Sequence, residues 1–226
     1  MAPKKVKEKK IAVILFNLGG PTGPKTIKPF LYNFFMDPNI IRLPKPFRWC
    51  LAKLISIRRS KGEAGEAYGE MGGGSPLLEN TIAQQYAVEE ELKKLVGKNT
   101  QIRTYTCMRY WHPMAPSIAP QVQAFNPDQI MLVSLYPQFS TTTFWSSIAQ
   151  WFTVAQKIGL NKPTTTFCCY PQLDGFIKAS ADNIKIKYQE CKKATGRAPR
   201  ILFSAHSLPE KIITDGDPYA WKVSLL

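Results

Sequence analysis

The chain has 226 residues, of which 44% are hydrophobic and 20% are charged, so it is long and apolar enough to bury a globular core. Thirty lysines and arginines against 16 acids give a formal net charge of +14, which favours an anionic partner: nucleic acid, an acidic membrane surface or a substrate with carboxylates. No run is apolar enough to span a bilayer, and five scattered cysteines do not indicate a disulfide framework.

The first segment in chain order is a basic tail from Met1 to Lys10, with five lysines and no apolar run. It lacks the hydrophobic segment of a secretory signal and the arginines and serines of a transit peptide. We therefore expect a disordered tail on a cytoplasmic protein that is soluble or peripheral to a membrane.

Short apolar runs alternate with helical patterns along the rest of the chain. The predicted strands are 11–16, 101–108, 130–135, 164–170 and 201–205, and the predicted helices are 25–36, one within 40–61, 76–97, 143–158 and 174–193. Alternation of this kind predicts an α/β fold with a parallel sheet and helices on both of its faces.

The segment 40–61 interleaves lysines and arginines with leucine, isoleucine, phenylalanine and tryptophan. As a basic amphipathic helix it suits a membrane interface, where apolar side chains insert and cations meet anionic head groups. A helix that packs on the core and turns a basic side to solvent explains the same pattern.

Two side chains stand where an anion could bind. Ser75 follows three glycines and precedes Pro76, so the backbone N–H groups of the following helix could hold an anion there, although a helix-capping role also accounts for Ser75. Arg109 ends the predicted strand 101–108 and could pair with a carboxylate through two hydrogen bonds.

The candidate catalytic residue is His206, at the end of the predicted strand 201–205. In open α/β sheets, ligands bind beyond the carboxyl ends of the strands. An imidazole there could accept a proton or bind a metal. A histidine that is satisfied by neighbouring hydroxyls fits the position equally well.

Five sequence motifs resemble the ferrochelatase family, whose members insert ferrous iron into protoporphyrin to make haem. They are I-L-F-N-L-G-G-P at 14–21, G-G-G-S-P at 72–76, M-R-Y-W-H-P at 108–113, L-Y-P-Q-F-S at 135–140, and F-S-A-H-S-L-P followed by G-D-P-Y from 203 to 219. They occur in the family's order, so the resemblance covers nearly the whole chain.

The resemblance implies a chelatase-like fold of Rossmann-type lobes, with a complete first lobe at 11–172 and an incomplete second lobe at 173–226. It implies lyase activity in haem biosynthesis, with protoporphyrin IX and ferrous iron as substrates, an anionic membrane as a peripheral partner, and no nucleic acid. His206 would be the catalytic proton acceptor or iron ligand. The residues that would contact the porphyrin are Leu18, Arg59, Tyr68, Ser75, Arg109 and Tyr110.

The resemblance implies that ferrous iron is a substrate, and we expect no permanently bound cofactor. Some ferrochelatases carry an iron–sulfur cluster, and one ligand of the animal type directly follows the Y-P-Q-F-S motif. Here that position is Thr141, so we expect no cluster.

Members of the family continue beyond the position of Leu226 to an S-[DE]-H-x-E-T-L motif, whose glutamate faces the catalytic histidine, and no part of this sequence matches that motif. We therefore expect a truncated ferrochelatase without measurable iron insertion. Two alternatives remain: a non-catalytic porphyrin binder, and a hydrolase built from Ser204 or Ser207 with His206 and Asp217, although the G-x-S-x-G turn of such hydrolases is missing.

Overall fold

The computed structural model describes residues 8–224, and its centre is a sheet of four parallel strands. The strands are β1 (Lys9–Asn17), β2 (Thr100–Met108), β3 (Gln129–Ser134) and β4 (Thr164–Phe167), in the order β2-β1-β3-β4. The predicted fold class, an α/β protein with a parallel sheet flanked by helices, is confirmed.

Helices connect and cover the strands. They are α1 (Pro24–Phe35), α2 (Lys45–Lys61), α3 (Glu63–Glu70), α4 (Leu77–Leu95), α5 (Ala115–Phe125), α6 (Ser146–Lys157), α7 (Asp174–Thr195), α8 (Glu210–Thr214) and α9 (Tyr219–Val223), and a π-helical turn, Thr141–Trp145, precedes α6. The sequence patterns missed α3, which has two glycines and no buried residue, and α5, which contains two prolines. Helix α4 ends at Leu95 rather than at the predicted Gly97.

The core is built around β1, whose residues from Ala12 to Phe16 are almost inaccessible to solvent. This strand pairs with β2 on one side and with β3 on the other, so its backbone groups are satisfied while both of its faces are covered. Phe16 is aligned with Cys107 of β2 and with Ser134 of β3. The carboxyl ends of these three strands therefore lie side by side, which is where the site is built.

The chain divides into two compact units. The first unit contains the residues up to Tyr136 together with Thr141–Phe167, and it includes the whole sheet. The second unit contains Pro137–Ser140 and the chain from Cys168 onward. The lobes predicted from the sequence, 11–172 and 173–226, stay a prediction.

The prediction of a strand at 201–205 is wrong. These residues are extended without strand pairing, and Leu202 and Phe203 are 84% and 86% exposed. A strand needs a hydrogen-bonding neighbour, and the four strands of the described sheet pair only with one another. The predicted strand 164–170 is shorter than expected for the same reason: Phe167 pairs with Val133, close to the end of β3.

The predicted disordered tail must also be shortened, because Lys9 and Lys10 belong to β1. The Lys9 amide donates to the carbonyl of Asn99 at 2.8 Å, and the Lys10 amide donates to the Asp128 carboxylate at 2.8 Å. The rest of that tail, residues 1–7, lies outside the described residues.

Three cysteines in or near the sheet differ in state. Cys107 in β2 is buried, and burial raises the pKa of its thiol to about 12. The sulfur atoms of Cys168 and Cys169, next to each other in sequence, lie in contact. None of the helices in the described part of the chain is long and apolar enough to cross a membrane.

Candidate functional site

The loop after β1 and the segment after β2 run together, so that the first and third of the five motifs are in contact. The amide of Arg109 donates to the carbonyl of Asn17, and the amide of Tyr110 donates to the carbonyl of Leu18, both at 2.9 Å. Gly19 has a φ of +83°, and a Cβ there would lie 2.9 Å from the backbone nitrogen of Trp111. Only glycine fits such a close approach without a shift of the backbone.

The second motif packs against the same loop through Ser75. A Cβ on Gly20 would lie 2.6 Å from the Ser75 Cβ, and the Ser75 amide donates to the Pro21 carbonyl at 2.7 Å. The Ser75 hydroxyl accepts a hydrogen bond from the Leu77 amide at 3.2 Å. This bond forms a turn just before α4, which begins at Leu77 with Pro76 at its N-cap position, so the prediction of Ser75 as the N-cap is one residue out of register.

A buried polar cluster lies at the carboxyl end of β2 and consists of Asp37, Arg109, Tyr110 and Ser146. Arg109 donates from Nη2 to Asp37 Oδ2 at 2.7 Å and from Nε to Ser146 Oγ at 2.6 Å. The Tyr110 hydroxyl donates to the same Asp37 oxygen at 2.8 Å, and the Ser146 hydroxyl also donates to it. The Asp37 side chain is 0% exposed, and that of Arg109 is 14% exposed.

The charges of this cluster follow from its contacts. Burial by itself would raise the pKa of Asp37, but the Arg109 guanidinium and the hydrogen bonds from Ser146, the Asn39 backbone and Tyr110 outweigh it and lower the pKa below its usual value. Burial raises the pKa of Tyr110, and the negative charge of Asp37 raises it further. At neutral pH the cluster therefore holds a carboxylate, a guanidinium and a neutral phenol that donates a hydrogen bond.

An apolar cluster adjoins the polar one and brings in three more of the predicted substrate contacts. Leu18 and Tyr68 are partly buried and pack on a group of side chains that includes Phe35 and Tyr110. Burial raises the pKa of Tyr68. The guanidinium of Arg59 lies 5.6 Å from the centre of the Phe35 ring. The site thus combines apolar surface with cationic groups at its edge.

Four of the six predicted substrate contacts belong to the end of β1 and the loop after it or contact them, namely Leu18, Ser75, Arg109 and Tyr110. The other two, Arg59 and Tyr68, contact the α1 side chains Phe35 and Phe30, which belong to the adjoining apolar cluster. His206 belongs to the second unit, where it is exposed in the extended segment 201–209 and no hydrogen bond holds its ring among the residues described. Its predicted role stays a prediction.

In the second unit, the fourth motif meets the G-D-P-Y part of the fifth. The buried Asp217 carboxylate accepts hydrogen bonds from the Ser140 hydroxyl and from the Tyr219 amide, both at 2.9 Å. The hydrolase alternative required a strand that turns sharply into a helix at Ser204 or Ser207. The described structure has neither a strand nor a helix at those residues.

Sequence reasoning missed Asp37 and Ser146. Asp37 directly follows the predicted helix 25–36, and Ser146 lies within the predicted helix 143–158, and neither was assigned to the site. The available signal was an acid directly after a strongly apolar helix, because a carboxylate buried there needs a cationic partner.

The structure has no group of three or more His, Cys, Asp or Glu side chains that could hold a metal, within residues 8–224. The assignment of His206 as an iron ligand and the expectation that no cofactor is bound permanently both stay predictions.

Comparison with known proteins agrees with the motifs. The family model described as Ferrochelatase matches residues 10–225. The ferrochelatase of Wolbachia pipientis wMel is 47% identical to this chain, over 95% of the chain and 66% of the relative's length. The ferrochelatase of Phenylobacterium zucineum is 46% identical, over 95% of the chain and 60% of the relative. The ferrochelatase of Rickettsia felis is 44% identical, over 96% of the chain and 60% of the relative. The chain thus spans about 60–66% of the length of these relatives, and it belongs to the ferrochelatase family.

Proposed function

We propose that this chain carries the porphyrin-binding site of a ferrochelatase, the lyase that inserts ferrous iron into protoporphyrin IX in the last step of haem biosynthesis. The observation that carries the proposal is that four predicted substrate contacts meet at the loop after β1, while Arg59 and Tyr68 lie on the apolar cluster that adjoins it. An apolar surface with cations at its edge suits a flat aromatic ring that bears anionic propionates. The family relationship supports the same substrate.

In this proposal different side chains of the first unit contact different parts of the substrate. Leu18 and Tyr68 supply apolar surface for the ring. Arg59 and Arg109 attract the propionates, and Ser75 adds a polar group at the start of α4. Charged hydrogen bonds to carboxylates are about twice as strong as neutral ones, so the arginines contribute most to orientation.

Metal insertion replaces two pyrrole N–H protons with one ferrous ion, so two protons must leave the ring. We propose that His206 accepts a proton or binds the incoming iron. An imidazole is suited to either task near neutral pH. Iron is a substrate in this scheme, and we propose no iron–sulfur cluster because Thr141 follows the Y-P-Q-F-S motif.

Titration of the 226-residue chain with protoporphyrin IX, followed by anaerobic addition of ferrous iron, separates binding from turnover. Binding quenches porphyrin fluorescence, and insertion replaces the porphyrin spectrum with that of haem. If insertion occurs, His206→Ala should reduce its rate about 10²–10⁴-fold.

Three results are informative. Binding followed by insertion supports the full proposal. Binding without insertion agrees with the expectation of no measurable iron insertion and is also what a non-catalytic porphyrin binder would give. No binding of protoporphyrin contradicts the proposal.

We further propose a cytoplasmic location with peripheral contact to an anionic membrane through α2. The buried residues of this helix are Ala52 and Ser56, whereas the large side chains Phe47, Trp49 and Leu54 are exposed. A helix that only packs on the core does not explain exposed aromatic groups beside lysines and arginines. Such a surface can insert its apolar groups while its cations meet lipid phosphates.

Vesicle sedimentation tests this contact. Binding to vesicles with anionic lipid should weaken as salt rises, because salt screens exposed charges. Neutralising Arg48, Lys53 and Arg58 should weaken it further. A control variant neutralises three exposed lysines of α7, namely Lys178, Lys187 and Lys193. Equal binding to neutral vesicles, insensitive to salt, would contradict the proposal.

A further inference from the structure

Asp37 lies outside the five motifs, yet its carboxylate holds two residues of the third motif. One oxygen, Oδ2, accepts hydrogen bonds from Arg109, Tyr110 and Ser146. The other oxygen, Oδ1, accepts from the backbone amide of Asn39 at 2.8 Å and from its side-chain amide at 2.9 Å. Both oxygens are engaged inside the protein, so Asp37 acts on other residues of the chain rather than on a ligand.

Three contacts hold the guanidinium of Arg109, two along one edge and one on a face. Its Nε and Nη2 atoms lie on one edge of the planar group, and that edge is taken by Ser146 and Asp37. The Tyr110 ring lies against its face, with the ring centre 4.7 Å from the guanidinium carbon. A guanidinium has five N–H donors in a rigid fork. Within residues 8–224, no hydrogen bond occupies the donors at the tip, on Nη1 and the outer side of Nη2, so they can pair with a ligand.

We propose that Asp37 is a positioning residue, which holds Arg109 so that the tip of its guanidinium can pair with a carboxylate of the substrate. The identity of that carboxylate as a porphyrin propionate rests on the proposed function above. Tyr110 then acts through Arg109 as well, because its side chain is completely buried and its hydroxyl donates to Asp37. A cation that is already oriented loses less freedom when the ligand binds.

The first test compares two porphyrins: protoporphyrin IX, which has two free propionates, and its dimethyl ester. The 226-residue chain should bind the diacid more tightly than the ester. Asp37→Asn should reduce this preference about tenfold, as should Arg109→Gln, because each removes the oriented charged hydrogen bond. Asp182→Asn is the matched control, since Asp182 pairs with a lysine on the exposed surface of α7.

A purely structural role for Asp37 predicts a different result, since a loosened fold would weaken the diacid and the ester equally. An unchanged preference in Asp37→Asn would therefore overturn the proposal. If that variant does not fold, Tyr110→Phe removes only one hydroxyl from the cluster and should reduce the preference by a smaller factor. An unchanged preference in a folded Tyr110→Phe would remove Tyr110 from the positioning role.

The second test needs no porphyrin. Phenylglyoxal modifies accessible arginines, and mass spectrometry locates the modified sites. Arg109 should react more slowly than the exposed Arg103 in the wild type, because its contacts with Asp37, Ser146 and the Tyr110 ring restrain the guanidinium even though its tip is open. It should react several-fold faster in Asp37→Asn. The buried Cys107 thiol should stay unreactive if the variant is folded. Equal protection of Arg109 in both proteins would overturn the positioning role, whereas failure of the wild type to bind either porphyrin would contradict the proposed function instead.

Discussion

The two units contain ion pairs of similar length in very different settings. In the first unit, Arg109 and Asp37 are 2.7 Å apart, and the Asp37 side chain is fully buried. In the second unit, Lys178 and Asp182 are 2.6 Å apart, with side chains that are 78% and 45% exposed. Distance therefore does not set the strength of an ion pair. A buried charge depends on its partner, whereas water replaces the partner of an exposed one.

The same contrast holds for apolar side chains. Leu15 in β1 is inaccessible, because strands and helices cover both sides of it, whereas Leu202 in the second unit is mostly exposed. Predicted substrate contacts in the first unit are held by the backbone and by buried groups. His206 in the second unit lies in an extended segment. The two units should therefore respond differently to the same perturbation.

The largest difference should appear in limited proteolysis with trypsin. Arg200 and Arg103 are both exposed, but Arg200 precedes an extended segment, and Arg103 lies in β2 with its backbone paired to β1. Cleavage needs local opening, whose free energy ranges from near zero in loose segments to the full stability of the fold in core strands. Cleavage after Arg200 should be at least about 100-fold faster.

Mass spectrometry of timed digests measures both rates in one sample, so the trypsin concentration cancels. Similar rates at the two arginines would show that the segment 201–209 is held as firmly as the sheet.

The next largest difference should appear in the free energy of unfolding when Asp37 or Asp182 is replaced with alanine. Asp37→Ala leaves the Arg109 charge buried without its partner, which should lower the free energy of unfolding by about 3–5 kcal/mol. Asp182→Ala removes an exposed partner and should change it by less than about 1 kcal/mol. Urea denaturation of both variants measures the two values. If Asp182→Ala lost as much stability as Asp37→Ala, burial would not explain the difference between the two ion pairs.

Replacing a buried and an exposed leucine with alanine should give a slightly smaller difference in the free energy of unfolding. Leu15→Ala leaves a cavity beside Val13 and Ile102 and should cost about 2–5 kcal/mol. Leu202→Ala removes a side chain that is already in water and should change stability by no more than about 0.5 kcal/mol. Denaturation midpoints of the two variants provide the measurement. A large loss for Leu202→Ala would mean that residues 201–205 are packed in solution.

The fold of the first unit could be predicted in part because β1 and β3 are largely apolar and β2 alternates between polar and apolar residues, and these strands pair in one sheet. Ile11–Phe16 and 201–205 have similar patterns, yet only the first forms a strand. The difference is the presence of neighbouring strands on both sides of β1. An apolar run shows that a segment favours burial, but it does not show whether a partner exists.

The residues of the candidate site could be predicted where they belong to short sequence motifs. Leu18, Ser75 and Arg109 belong to short motifs, and the structure brings these motifs together. Asp37 could not be assigned in the same way, because its contacts with Arg109 and Ser146 span 72 and 109 residues of sequence. Pairing over such separations depends on the topology of the sheet, which no local pattern specifies.

Replacing Gly19 and Gly196 with alanine should give a smaller difference in stability. Gly19 and Gly196 both have a positive φ, +83° and +69°. Alanine at either position should cost about 1–2 kcal/mol from the left-handed backbone alone. At Gly19 the added Cβ would also meet the Trp111 backbone nitrogen, whereas nothing lies within 4 Å at Gly196.

Gly19→Ala should therefore lose more stability than Gly196→Ala, and the thermal midpoints of the two variants will show this. If the proposed function is right, it should also weaken porphyrin binding, since the loop after β1 must shift. Equal losses would indicate that the loop is free to adjust.

The smallest difference concerns the dependence of stability on pH. The pKa of Asp37 is lower in the folded protein than its ordinary value. Its charge therefore stabilises the fold at pH values above the unfolded pKa, about 3.9, and this contribution is lost as the pH falls through the lower, folded pKa. Urea denaturation between about pH 6 and pH 2 should show the wild type approaching Asp37→Asn in stability as the solution becomes acidic. Asp182→Asn should stay parallel to the wild type, because its exposed pair contributes little. A gap between the wild type and Asp37→Asn that widens with acid would mean that burial outweighs Arg109 and raises the pKa of Asp37, so the buried pair of the first unit would be costly to ionise rather than stabilising.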